Sequence, residues 1–166
     1  MTFNIIVQLV AALVPTVIGF IWYNPKVFGK IWMDASGLTH ESVKGANMAV
    51  VFGASLVLSF FLGFALNFMV IHQNHLFSAV QGIAGLEDPN SSVNQMLNSF
   101  MAAYGDNFRT FKHGALHGAI GGFTIALPII GTSALFERKG FKYIAVNAGY
   151  WMVTMAIMGG IICQFS

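Results

Sequence analysis

Four stretches of this chain contain no Asp, Glu, Lys or Arg: residues 1–25, 45–86, 113–136 and 143–166. A helix needs about 20 residues, rising about 1.5 Å each, to cross a hydrocarbon core of about 30 Å. Every stretch is long enough for one crossing. The second runs further, but its far half turns polar at His72-Gln73-Asn74-His75. The spacing predicts spans near 3–23, 47–71, 113–135 and 143–163. Backbone groups left unpaired in lipid are costly, so these are helices; the runs also lack the alternation of a barrel strand.

Composition agrees. Of 166 residues, 8% are charged and 56% hydrophobic. A soluble domain carries about 25% charged residues, so this chain cannot wet its own surface in water. The expected fold class is an all-α membrane protein: four transmembrane helices in a compact bundle, forming one domain over residues 1–166. The net charge of +2 gives no basic surface for nucleic acid, and the single cysteine, Cys163, has no internal disulfide partner. Residues 1–25 hold no Lys or Arg, so they read as a retained first span rather than a cleaved signal.

Loop charges set the expected orientation. The first loop carries Lys26, Lys30 and Lys44, and the third carries Arg138, Lys139 and Lys142. The opposite side has Arg109 and Lys112. The positive-inside bias makes loops one and three cytoplasmic in a bacterial inner membrane, with both termini periplasmic. The second loop, 72–112, looks irregular over 76–90, where Gly82, Gly85 and Pro89 fall. From Ser92, the residues Val93, Met96, Leu97, Phe100, Met101 and Tyr104 recur at helical spacing. A short amphipathic helix capped by Ser91 or Ser92 is expected there, lying on the interface or the bundle mouth.

Lipid tails are as apolar as leucine, so close approach of small residues has to hold the helices together. The third span carries Gly114, Gly118 and Gly122 at four-residue spacing; the second carries Ser55, Ser59 and Gly63; the fourth carries Gly160. These stripes are the expected helix-packing surfaces. Asn67 and Asn147 are amides inside spans and should face protein, each in an interhelical hydrogen bond. Pro15 and Pro128 should kink or loosen their helices.

Three motifs are recognisable. Trp22-Tyr23-Asn24-Pro25-Lys26-Val27-Phe28-Gly29-Lys30-Ile31-Trp32-Met33 follows the first span. Phe136-Glu137-Arg138-Lys139 closes the third, and Asn147-Ala148-Gly149-Tyr150-Trp151 lies in the fourth. In this order the chain resembles, over nearly its whole length, the bacterial membrane proteins of the domain of unknown function 1761 family. The resemblance implies a small multi-span membrane protein with no established activity and no assigned catalytic residue. The long second loop and its histidines depart from that pattern. Read physically, Trp22, Tyr23 and Trp32 suit the headgroup layer, and Lys26 and Lys30 can reach anionic headgroups, so the first motif reads as an interfacial anchor. Phe28 and Trp32, four apart, allow a short interfacial helix. Glu137 is expected in a solvated ion pair with Arg138 or Lys139.

The sharpest chemical signal is histidine. His72 and His75 end the second span, and His113 and His117 begin the third at the same membrane depth. Positions i and i+4 share a helix face, and imidazole is a ligand for zinc, copper, iron and nickel. No phosphate loop, nucleotide-binding glycine fingerprint or nucleophile elbow is present. The leading expectation is therefore a non-catalytic accessory or scaffold subunit, without a cofactor, in a homo-oligomer or larger membrane complex. Two alternatives stand beside it. One is a small transporter or channel, lined by Ser55, Ser59, Asn67 and Asn147. The other is a metal- or haem-binding membrane protein using the four histidines.

Overall fold

A computed structural model describes residues 3–39, 41–42 and 44–166, and among these no strand occurs. The helices are α1 (Ile5–Trp22), α2 (Gly29–Ser36), α3 (Met48–Val70), α4 (Gln73–Val80), α5 (Ser92–Tyr104), α6 (Phe111–Gly121), α7 (Leu127–Phe136) and α8 (Phe141–Phe165). A π turn, Gly122–Ala126, joins α6 to α7 into one crossing, Phe111–Phe136. With α1, α3 and α8 this makes four helices long and apolar enough to span a bilayer. The chain is an all-helical, multi-pass membrane protein.

The helix starts follow capping chemistry. The side chains of Asn4, Asn47, Ser91 and Thr110 accept hydrogen bonds from first-turn backbone N–H groups of α1, α3, α5 and α6. The segment after α3 differs from expectation. Ile71 is extended and breaks α3, but the chain re-enters a helix at Gln73. The residues Gln73–Val80 hold no glycine or proline; the breakers Gly82 and Gly85 act only beyond them, at positive φ. The irregular part is thus shorter than expected.

Helix α8 is the central element. More than half of its membrane window, 56%, is buried, against 17–28% for the other three spans. Its residues Met155, Met158, Ile162 and Cys163 share a core with Ala11 and Val14 of α1 and Leu66 and Val70 of α3. The outward faces are apolar: Ile6, Leu58, Phe61, Ile129 and Leu135 are all exposed. An apolar belt this extensive is stable only against hydrocarbon.

Glycine sets the contact between α6 and α8. A Cβ at Gly114 would overlap the Gly159 carbonyl, and one at Gly118 the Met155 carbonyl. At Gly122 it would lie 2.5 Å from the Met152 Cα. The fourth-span Gly160 faces the Phe111 ring, which a Cβ would meet at 2.5 Å. On α3, Ser59 is buried, Ser55 is half-buried, and Gly63 gives room for the Gln8 side chain. Gln8, 1% exposed, donates through Nε2 to the Phe60 carbonyl at 2.9 Å and so ties α1 to α3.

The two prolines differ. Proline lacks an N–H and crowds the carbonyl four residues earlier. Ahead of Pro128 the chain widens into the π turn, which relieves that crowding. Helix α1 continues through Pro15, whose carbonyl also accepts the buried Tyr150 hydroxyl at 2.7 Å. Tyr150→Phe is expected to lower stability by about 1 kcal/mol, the net worth of such a bond, without changing the fold. Chemical unfolding in detergent measures this, and an unchanged midpoint would show that the bond contributes nothing.

At the lysine-rich end the first and last motifs meet. After α1, Val27 and Gly29 donate to the Asn24 carbonyl, and Phe28 to that of Trp22. A Cβ at Gly29 would overlap the Tyr23 carbonyl, so the turn closes only around glycine. Trp22 donates through Nε1 to the Val146 carbonyl at 3.0 Å, and its ring covers Gly149. Tyr23 donates to Asn147 Oδ1 at 3.0 Å, while its ring packs against Trp32 and Tyr150. The rings of Trp22, Tyr23 and Trp32 are half-buried, and Lys26 and Lys30 remain exposed. Burial, then the neighbouring Tyr150 and Tyr143, holds the Tyr23 phenol well above its ordinary pKa, keeping it a donor. Lys139 Nζ donates to the Ser36 carbonyl at 2.5 Å, linking the two loops of this end. Glu137 makes no ion pair among the described residues, where the pair is Lys44–Glu41; Lys139 is instead held by that carbonyl.

Candidate metal centre

The opposite end gathers the start of α1, the end of α8 and the histidines. Asn4 donates through Nδ2 to the Phe165 carbonyl at 3.3 Å, and Arg109 through Nε to that of Cys163 at 2.9 Å. His72 occupies the corner between α3 and α4, after the extended Ile71. Its partners lie on α6. Phe108, at φ 63°, turns the chain, and Thr110 caps α6 through the N–H of His113. Gly114 and Gly118 then press α6 onto α8 and fix its rotation. His113 and His117, one turn apart, project from the same face toward His72.

The three imidazoles touch. His113 Nε2 lies 2.8 Å from His72 Nε2. Ring centroids are 4.9 Å apart for His72–His113, 4.9 Å for His72–His117 and 4.4 Å for His113–His117. One nitrogen from each ring lies within 4.8 Å of the others. His113 and His117 are half-buried and His72 is exposed, so the group opens outward. The Phe108 ring stacks on His113, 5.1 Å between centroids and 29° between planes. What burial the His72 ring has, and then the nearby His117 and His75, keeps its pKa below the usual histidine value. A neutral imidazole offers the lone pair a metal needs. Zinc–nitrogen bonds are about 2.0–2.1 Å, so three nitrogens this close can enclose one ion after small side-chain adjustments and leave a fourth position open.

A family model described as "Protein of unknown function (DUF1761)" matches residues 6–163. The chain belongs to the DUF1761 family. The DUF1761 match runs from α1 to the end of α8 and continues through the 72–112 segment. Its bounds enclose the aromatic end and the histidine end alike. No curated protein and no solved structure matches the chain.

Of the four histidines singled out in the sequence, the structure brings together three. His75 lies on α4, exposed, and is not one of the group. The chain breaks at Ile71, so His72 and His75 do not belong to one continuous α3 face. Asn67 and Asn147 both face protein. Asn147 reaches Tyr23 beyond its own span, but Asn67 Oδ1 accepts from Asn74 Nδ2 at 2.8 Å, closing the α3–α4 corner rather than joining two spans.

Sequence reasoning passed over Gln8, Gln73 and Phe108. Gln73 is buried, and its Nε2 donates to the Asn107 carbonyl at 2.9 Å and the Tyr104 carbonyl at 3.3 Å, fastening α4 to the end of α5. Gln8 had the same signal as Asn67, an amide in a charge-free run. The left-handed backbone of Phe108 had none.

Proposed function

We propose that this chain is a non-catalytic accessory protein of the bacterial inner membrane that binds one transition-metal ion through His72, His113 and His117. The carrying observation is the convergence of three imidazole nitrogens within 4.8 Å, from two elements far apart in sequence. Imidazole donors without thiolate or carboxylate suit zinc, copper, iron or nickel rather than magnesium or calcium. Haem is disfavoured: a porphyrin between two axial imidazoles parts their rings, and these rings are in contact. The loop-charge bias puts this end on the periplasmic side.

The pore reading has less support. Of its four residues, Ser59 and Asn67 are buried, Asn147 is engaged by Tyr23, and Ser55 is half-buried. Asn67 does edge an open cavity with Asn74, Asp106 and Arg109, but Ser59 and Asn147 do not line it, which favours packing over a continuous path. An accessory role in a homo-oligomer or larger complex draws on the missing enzyme motifs, and the histidine group adds a metal centre to it.

The test is metal stoichiometry. Detergent-purified protein, stripped with chelator and titrated with Zn(II) against a chromophoric competitor, is expected to bind one ion per chain. The double variant His113→Ala/His117→Ala is expected to lose that ion while keeping its far-ultraviolet helix signal. Absence of binding at micromolar Zn(II), or unchanged binding by the double variant, would sink the proposal.

A further inference from the structure

Beside the histidines lies a cavity of about 340 Å³. Its walls include Leu76 of α4, Phe100 and Tyr104 of α5, Phe108, and the amide-bearing Gln73. His72 belongs to both places: it lines this cavity and is one of the three clustered imidazoles. That shared residue places the cavity next to the three-imidazole group.

We propose that the cavity seats the ring-bearing apolar body of a small amphipathic ligand, whose metal-binding head takes the open position on the three-histidine ion. The inference rests on the metal reading above. Three protein ligands leave tetrahedral zinc one exchangeable position, as in sites that bind an exogenous molecule. The walls have the usual makeup of a small-molecule pocket, mainly aromatic and aliphatic with a few polar groups, and the volume falls at the lower end of such sites. Phe100 and Tyr104 are 5.1 Å apart between ring centroids and offer a tilted aromatic surface to a flat guest. Gln73 holds the wall in place, because its amide hydrogens fasten α4 to the carbonyls of Tyr104 and Asn107; its buried Oε1 has no partner among the described residues. A donor on the guest can satisfy that oxygen after a small shift. The ligand class is thus an aromatic or cyclic apolar molecule with a hydroxyl, hydroxamate or carboxylate head.

The experiment compares two probes with one head. Co(II) replaces zinc in the full-length protein in detergent, and its visible absorption reports the coordination sphere. Benzohydroxamate and acetohydroxamate are each titrated into it. Burying the ring in the cavity is expected to make benzohydroxamate bind about tenfold tighter or more. Leu76→Trp fills the cavity and should abolish that advantage while leaving the acetohydroxamate affinity and the Co(II) bands unchanged. Phe100→Ala, which removes a wall without adding bulk, should narrow the ratio if the tryptophan variant does not fold. Equal affinities for the two probes, or a ratio preserved in both variants, overturns the cavity proposal and leaves the metal reading standing. If no Co(II) bands form at all, the metal reading falls and takes this one with it.

Discussion

Gly118→Ala is expected to cost about 3 kcal/mol, the upper part of the range for overpacking a close contact, and to lower the thermal midpoint in detergent by roughly 6–12 °C. The added methyl would overlap the Met155 carbonyl oxygen and carbon and approach the Ala156 Cα at 2.9 Å. All three are backbone atoms of α8, so no rotamer change relieves the clash; α6 itself must move away. In lipid nothing apolar draws the helices back together, because hydrocarbon satisfies the exposed faces equally well. Gly53→Ala is the control. It lies on the exposed side of α3, with nothing within 4 Å of an added Cβ, and its midpoint should be unchanged or slightly raised. Equal midpoints for the two variants would mean that α6 and α8 are not held by close approach. Since Gly118 also sets the direction of His113 and His117, Gly118→Ala should weaken Zn(II) binding as well.

His72→Ala should reduce Zn(II) affinity by more than about 100-fold, whereas His75→Ala should leave it within about twofold. Losing a partner behind a ligand already costs about 10–100-fold in metal sites, and losing a ligand itself exceeds that. The contrast is informative because the two residues are three positions apart in sequence and both exposed. Only His72 has its Nε2 beside that of His113. A nonspecific response to surface histidines would affect both variants alike. Competition titrations of the two proteins, prepared in parallel, measure the difference. A loss on changing His75 comparable to that on changing His72 would replace the three-residue site with a different one.

Much of the membrane architecture was legible because the relevant physics is nearly one-dimensional. The expected first span, 3–23, and the observed Ile5–Trp22 differ by one or two residues at each end, since the charge-free run and the Trp-Tyr-Asn-Pro sequence mark its limits directly. The cap of α5 was readable to within one residue, Ser91 or Ser92, for a similar reason: a capping side chain bonds backbone only a few residues away, and Ser91 is the one that does. Segment Gln73–Val80 was harder. Its polarity suggested the end of a span, and polarity alone does not distinguish a fraying end from a separate short helix. The aromatic end was partly readable. Trp22 and Tyr23 have interfacial character by type, but their bonds to Val146 and Asn147 bridge 124 positions of sequence.

By itself, the sequence determined the number and place of the crossings, the joint location of the start of the first span and the end of the last with the histidines, and the glycine stripe available for packing. Each of these follows from the cost of charge in hydrocarbon or from a helix period repeated within one element. Only the tertiary structure decided that α8 is the central helix, that Asn147 pairs with Tyr23, and that His72 rather than His75 meets His113 and His117. Those outcomes depend on how far each helix is rotated about its axis and on where Ile71 and Phe108 turn the chain. Rotation is set by which glycine backbone meets which carbonyl on a distant helix, a relation between elements that no local periodicity encodes.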